Sequence, residues 1–119
     1  MPPLLLCVAM EQSRLMRVSF AAMSMGIRVK AVKEDQWGQT VAALCGLEPE
    51  NPQPPKARVG DEMIIMAFFY SALVDRLLKS LRDGKQSVRL KAVLTPYNQR
   101  WTCGQLYTHL REEAAKMGQ

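Results

Sequence analysis

The chain has 119 residues, a formal net charge of +5 and 48% hydrophobic residues, which suits one globular domain with a sizeable core. No apolar run approaches the about 18 residues of a membrane-spanning helix, so a membrane protein is not expected. The cysteines Cys7, Cys45 and Cys103 lie far apart without a Cys-x-x-Cys pair, which argues against a disulfide framework and favours the reducing cytoplasm. The apolar N-terminus lacks the positively charged flank of a signal peptide and is predicted to be a strand.

The first half of the chain predicts the order strand, helix, strand, helix. Residues 4–10 are continuously apolar, which is typical of a strand buried on both faces. Ser13 is a suitable helix cap, and Gly26 suits the left-handed position after a helix. Residues 27–32 alternate between apolar and charged side chains and predict an edge strand. A second helix is expected at about residues 37–45.

The second half predicts the same order with clearer patterns. Residues 63–70 form another continuous apolar run and therefore a second strand buried on both faces. Ser71 is expected to cap an amphipathic helix with leucines at helical spacing. Residues 88–94 alternate and predict a second edge strand. Residues 95–98, Thr-Pro-Tyr-Asn, predict a turn after it. Thr102, with a glutamine three residues later, forms a capping box that opens the last helix.

The halves share a short sequence and are interpreted as two copies of one unit. Lys-Ala-Val occurs at residues 30–32 and 91–93, and Trp37 and Trp101 follow it at a short distance. The two Lys-Ala-Val strands are expected to share the same inward alternation, and each tryptophan is expected to pack as a plug over the rim of the sheet. Four prolines between the copies deny helix and interior strand, so that segment is predicted to be an extended connector. The predicted units are a first repeat at residues 4–46, a Pro-rich connector at 47–61 and a second repeat at 62–117.

Two βαβα units predict an α/β fold with a four-stranded, mainly parallel sheet flanked by helices. The continuously apolar strands belong in the middle and the alternating strands at the rims, which gives the order 2-1-3-4. The two central strands are expected to be parallel. Right-handed crossovers then place the first helix of each unit on opposite faces of the sheet.

The second half resembles a bacterial domain family known only as being of unknown function. The resemblance covers residues 63–116 and is carried by Leu-Lys-Ala-Val-Leu-Thr-Pro at residues 90–96, followed by Trp101 and Thr102. It implies an α/β fold. It brings no activity, cofactor or catalytic residue to this chain.

One hypothesis for a ligand site rests on the predicted parallel centre of the sheet. Ligands of open parallel sheets bind beyond the strand carboxyl ends, where the strand order reverses. The helices that start near Ser13 and Ser71 would point their N-termini into one crevice there, with Arg14 close by. Because helix N-termini attract anions, these three residues are candidate ligands of a small anion.

A second hypothesis concerns Cys103. It lies in the first turn of the last helix, where the helix dipole lowers the pKa of a thiol, and Arg100 is near in sequence. A thiol-dependent enzyme or redox sensor is therefore one alternative, although no base or oxyanion site accompanies the cysteine. His109 is the single histidine, so no metal site is predicted. No glycine-rich phosphate motif is present and no cofactor is expected.

A third hypothesis is a weak nucleic-acid or polyanion binder. Five basic side chains follow one helix and the last strand: Arg76, Lys79, Arg82, Arg89 and Lys91. A solvated, anti-aggregation surface is the favoured explanation, and nucleic acid is not the expected partner because interleaved exposed aromatics are lacking. The leading prediction is a non-enzymatic small-ligand-binding or protein-interaction domain of a bacterial cytoplasmic protein, with a homodimer as one option.

Overall fold

A four-stranded sheet forms the centre of the computed structural model, which describes residues 1–117. The strands are β1 (Leu4–Val8), β2 (Arg28–Val32), β3 (Met63–Ala67) and β4 (Leu90–Val93). Their order across the sheet is β2-β1-β3-β4, which confirms the predicted order. Every residue of β1 and β3 is buried, as their continuous apolar sequences require, whereas β2 and β4 form the edges.

Four helices flank the sheet, namely α1 (Gln12–Met23), α2 (Val41–Leu44), α3 (Ser71–Asp83) and α4 (Cys103–Lys116). Short 3₁₀ helices at Glu34–Gln36 and Asn98–Arg100 follow β2 and β4. The helix predicted at residues 37–45 is only one turn long. It starts late, because Thr40 is its N-cap and accepts the Ala43 N–H at 3.0 Å. Between residues 1 and 117, every helix is too short or too polar to cross a bilayer.

The prediction that the central strands are parallel is wrong. β1 pairs with β2 in parallel and β3 with β4 in parallel, but β1 and β3 are antiparallel, with Leu4 opposite Ala67 and Val8 opposite Met63. The reason is the connector, which starts β3 at the end of the sheet where β1 and β2 finish. Two of the three pairings are parallel, so the sheet remains mainly parallel.

The reversed centre also changes the layers. α1 and α3 lie on the same face of the sheet rather than on opposite faces, and α2 and α4 cover the other face. Right-handed crossovers explain this, because β3 runs opposite to β1 and its crossover steps in the opposite lateral direction. The α1/α3 face contains Leu5, Cys7, Val18, Ile64, Met66, Leu73, Leu77 and Leu81, and the α2/α4 face contains Leu4, Leu6, Val8, Leu44, Met63, Ile65, Cys103 and Leu106.

The Lys-Ala-Val sequence lies in β2 and β4, but in registers that differ by one residue. Lys30 pairs with Leu6, which belongs to the α2/α4 face, whereas Lys91 pairs with Ile64 of the α1/α3 face. A slip of one residue sends every side chain of a strand to the other face. The expected common alternation of the two copies is therefore wrong.

The connector packs tightly against the α2/α4 face. A Cβ atom added to Gly38 would lie 1.8 Å from the Pro55 carbonyl oxygen, and one added to Gly104 would lie 2.8 Å from the Ala57 Cβ. Val59 is buried in the core of this face. The two glycines therefore serve close backbone approach, and the connector is part of the folded structure.

Candidate binding site

The predicted anion crevice does not form, because its two helix N-termini lie at opposite ends of the sheet. α1 follows the Val8 end of β1, and α3 follows the Ala67 end of β3, which is paired with Leu4 at the start of β1. Five residues of strand separate these ends by about 17 Å. Ser13 and Ser71 therefore cannot contact one small anion. The N-cap residues of the two helices are Glu11 and Tyr70, not the two serines.

Arg14 is a structural cation. Its guanidinium forms an ion pair with Glu62, donates to the Gln86 Oε1 at 2.8 Å and to the Ser87 carbonyl at 3.0 Å. The hydrogen bond that Arg14 donates to the Glu62 carboxylate raises the pKa of Arg14. The side chain fastens α1 to the segments before β3 and β4, so its charge is already neutralised within the fold.

Cys103 is a core thiol. Its exposed fraction is 0%, and burial raises its pKa to about 12, the opposite of the lowered pKa expected at a helix N-terminus. Burial likewise raises the pKa of Cys7 to about 12 and that of Cys45 to about 11. Desolvation outweighs the helix dipole at Cys103, so none of the three thiols has the properties of a nucleophile.

His109 supports a neighbouring ring. Its imidazole lies 4.8 Å from the Trp101 ring, centroid to centroid, and its Nε2 is 2.6 Å from a Glu113 carboxylate oxygen. The part of the chain that the structure describes holds no group of three His, Cys, Asp or Glu side chains arranged for a metal ion. His109 therefore positions Trp101 in this structure.

A first cleft, of about 530 Å³, lies where the connector crosses the start of α4. Lys56 and Arg58 line this cleft, and their positive charges would suit an anionic ligand. The N–H groups at this helix start are already used, however: Cys103 donates to the Gln39 carbonyl at 2.9 Å and Gly104 to the Trp37 carbonyl at 3.0 Å. The cleft therefore offers exposed cations but no free backbone N–H group from Cys103 or Gly104.

A second cleft, of about 470 Å³, lies on the turn that follows β4. Pro96, Tyr97, Arg100 and Trp101 line it, and we call residues 95–101 the aromatic turn. This volume falls within the range of about 300 to 1,000 Å³ that is usual for ligand pockets. The cleft thus combines two aromatic rings, a proline and a guanidinium.

Asn98 fixes the backbone of the aromatic turn. Its side-chain oxygen accepts the Thr95 N–H at 2.8 Å, its amide nitrogen donates to the Val93 carbonyl at 2.9 Å, and its own N–H donates to the Thr95 Oγ1 at 3.0 Å. The Asn98 side chain is buried, with an exposed fraction of 8%. Three hydrogen bonds to one buried residue hold the turn in a single geometry.

The side chains carried by this rigid turn point outward. Tyr97 is 81% exposed, and Arg100 is also exposed. Within residues 1–117, Arg100 has no carboxylate within ion-pair distance. Exposed aromatic faces and a free guanidinium can stack on rings or prolines and bind carboxylates.

Sequence reasoning identified residues 95–98 as a turn but missed the aromatic turn as a site. The available signal was Asn98 three residues after Thr95, a pattern that locks turns through side-chain hydrogen bonds, next to a proline and a tyrosine. Trp101 was expected to be a plug, and it does pack against the α2/α4 face while one side lines the cleft. Trp37 packs against the same face, with a buried Nε1 that lacks the hydrogen-bond partner expected for it.

The fold is an α/β domain in which Asn98 locks the aromatic turn and Tyr97 is exposed beside the cleft. Residues 62–117 match the model of a family described as a domain of unknown function (DUF3783). The matched segment contains β3, α3, β4, the aromatic turn and α4, so the predicted resemblance is confirmed at the level of such a domain. No curated protein and no solved structure matches the chain.

Proposed function

We propose that the chain is a non-enzymatic protein-interaction domain whose aromatic turn binds a short, extended segment of a partner protein. The observation that carries this proposal is the contrast between Tyr97 and Asn98. A tyrosine that is 81% exposed is carried on a turn that a buried asparagine locks with three hydrogen bonds. A preformed turn loses little conformational entropy on binding, which favours recognition.

The chemistry of the cleft selects the segment. Pro96, Tyr97 and Trp101 offer flat apolar surfaces, which suit the rigid rings of a proline-containing segment in an extended conformation. Arg100 adds a cation that pairs with a carboxylate of the segment. We therefore propose an acidic, proline-containing peptide as the ligand class, bound weakly and reversibly.

The test is a titration of the isotope-labelled protein with a synthetic acidic, proline-rich peptide of about ten residues, followed through backbone amide NMR shifts. The expected result is saturable shifts confined to residues 95–101 and the start of α4, with a Kd on the order of 100 µM. Tyr97→Ala is expected to weaken binding at least about tenfold. Tyr70→Ala is the matched control, because Tyr70 is also exposed but follows β3.

Two outcomes contradict the proposal. The first is the absence of amide shifts at millimolar peptide. The second is an equal loss of binding in the Tyr97→Ala and Tyr70→Ala variants, which would place the peptide elsewhere. A control peptide in which lysine replaces every glutamate should bind more weakly, because Arg100 then faces like charge.

A second candidate function is polyanion binding by the α3 and β4 edge surface. Arg76, Arg82, Arg89 and Lys91 are exposed there, whereas Lys79 is paired with Asp83 at 2.6 Å. A single-stranded oligonucleotide added to the labelled protein would test it. Shifts in α3 and β4 that disappear as salt is raised would support this function, because phosphate contacts release counterions.

We also propose that the protein is bacterial and cytoplasmic and that its halves are copies of one unit. The resemblance supports the bacterial source, and three unpaired buried thiols suit a reducing compartment. The two units share a backbone feature that supports duplication. β1 and β3 are each followed by a non-glycine residue of positive φ, Ala9 at 53° and Phe68 at 65°, and a helix begins three residues later.

A further inference from the structure

The first helix carries an apolar stripe on its surface. Met16 and Met23 are each 64% exposed and Phe20 is 78% exposed, at positions i, i+7 and i+4 of α1. This spacing places the three side chains on one side of the helix. Val18 and Ala22 on another side of α1 already fill the core, so the stripe is additional to the apolar side that folding requires.

The stripe lies on the flank of α1 that faces away from α3. Arg14 marks the opposite flank, since it bonds to Gln86 just after α3, and the stripe is about half a turn around the helix from Arg14. Val18 and Ala22, which face the core, lie about 100° to 160° around the helix from the stripe. The three stripe side chains therefore point to solvent, on the side of α1 away from the sheet.

We propose that this stripe is a second docking surface, and that its occupant is an acidic amphipathic helix of a partner protein. Three anchors at i, i+4 and i+7 match the spacing that one helix presents to another. The three side chains provide about 400 Å², against about 800 Å² per partner in a standard stable interface. The area thus suits a short helix better than a second copy of the chain.

The charges on α1 indicate that the partner helix is acidic. α1 contains two basic residues, Arg14 and Arg17, and no acidic residue. Glu62 neutralises Arg14, whereas Arg17 is exposed and has no ion-pair partner in residues 1–117. A partner helix with glutamates beside its leucines therefore complements this surface.

The experiment uses a synthetic helical peptide of about 18 residues, with leucines at i, i+3, i+4 and i+7 and glutamates elsewhere, and a counterpart with lysines in place of the glutamates. Binding to the full chain is measured by fluorescence anisotropy, and the contact surface by amide NMR shifts. The acidic peptide is expected to shift α1 amides and to bind at least about fivefold more tightly than the basic one.

Three variants test the surface. Phe20→Ser is expected to weaken the affinity for the acidic peptide at least about tenfold. Arg17→Glu is expected to reverse the preference, so that the basic peptide binds more tightly than the acidic one. Met117→Ser is the matched control, because Met117 is an exposed methionine at the end of α4, and it should leave binding unchanged. Circular dichroism melting of each variant confirms that the fold persists.

The proposal is overturned if neither peptide shifts α1, or if Phe20→Ser and Met117→Ser weaken binding equally. It is also overturned if sedimentation shows a dimer of the chain that Phe20→Ser dissociates, since the stripe would then bind a second copy. Because the aromatic turn lies after β4, peptide binding there and helix binding at α1 are distinguished by which amides shift.

Discussion

The turns that follow β2 and β4 use the same kind of fastening but have different surroundings. In the first turn, the amide side chain of Gln39, which is buried, donates to the Asn51 carbonyl at 2.6 Å and accepts the Asn51 N–H at 2.7 Å. In the aromatic turn, the buried amide of Asn98 bonds to Thr95 and Val93. Gln39 ties its turn to the connector, whereas Asn98 ties its turn to itself.

This difference decides which turn is available to a partner. The connector covers the first turn, with Pro55 against Gly38 and with Glu50 accepting from the Gln36 side chain at 3.0 Å. Nothing in the described residues covers Tyr97 in the same way, since the ring is 81% exposed. The turns that follow β2 and β4 therefore have similar positions in the fold, but the connector covers the first, whereas Tyr97 of the aromatic turn is exposed.

The largest expected effect concerns the thiols beneath the turns. Cys103 starts α4 directly after the aromatic turn, and Cys45 closes α2 after the first turn. Raised pKa values lower the thiolate fraction at pH 8, so native Cys103 should react with iodoacetamide on the order of 10³-fold more slowly than the unfolded chain. The rate should rise with pH well beyond pH 8.5, because the raised pKa moves the titration upward.

Mass spectrometry of each alkylated cysteine measures these rates. Fast alkylation of Cys103 with slow alkylation of Cys45 would show that the uncovered turn opens in solution. That result would break the inference that the aromatic turn is rigid. The denatured protein, in which all three cysteines should react alike, is the control.

The next effect is on the covered turn. Gly38→Ala places a Cβ atom 1.8 Å from the Pro55 carbonyl oxygen, so the connector must move away. We expect a loss of about 3 kcal/mol in the free energy of unfolding, measured by urea denaturation. Gly84→Ala is the control, because the nearest atom to its added Cβ would be the Ser80 carbonyl oxygen at 3.4 Å. Equal stabilities of the two variants would show that the connector does not pack on the first turn.

The sequence predicted the strand order, the buried strands and the Thr102 cap, because these depend on local apolar runs and on spacing within one helix. Gln105 does donate its N–H to the Thr102 Oγ1 at 3.1 Å, as the capping box requires. The direction of β3 depends on the path of the connector, which no local pattern encodes. The prediction of an anion crevice was wrong because it assumed that β3 runs parallel to β1.

The aromatic turn illustrates the same limit at the scale of a site. Sequence alone identifies a turn at Thr95 and Pro96, but exposure of Tyr97 depends on which segments pack beside it. The first turn is covered because the connector approaches it closely, with Pro55 against Gly38. Long-range contacts thus separate an exposed turn from a covered one.

A smaller effect compares the two buried amides. Gln39→Ala and Asn98→Ala each leave buried backbone groups without partners, and each should cost about 2 kcal/mol of unfolding free energy. Only Asn98→Ala should also weaken the acidic proline-rich peptide, because it loosens the aromatic turn. Asn98→Asp keeps the acceptor for the Thr95 N–H but loses the donor to Val93, so its stability should lie between wild type and Asn98→Ala. Equal peptide affinity in all three variants would contradict a binding role for the locked turn.

The smallest expected effect is on stability in Tyr97→Ala. The ring is 81% exposed, and its removal leaves no cavity, so the free energy of unfolding should change by less than about 0.5 kcal/mol.

Tyr107→Phe is a useful comparison with Tyr97→Ala, because the Tyr107 hydroxyl donates to Asp61 at 2.9 Å and joins α4 to the end of the connector. That hydrogen bond, with Arg111, lowers the pKa of Asp61, so its contribution to stability is present above about pH 4 and is lost as the pH falls through the lowered pKa. In urea denaturation, the difference in stability between Tyr107→Phe and wild type should therefore be full at pH 7 and should shrink as the pH falls below about 4, whereas Tyr97→Ala should match wild type throughout. A large destabilisation in Tyr97→Ala would mean that the ring is held by the fold, and the aromatic turn would then resemble the covered first turn.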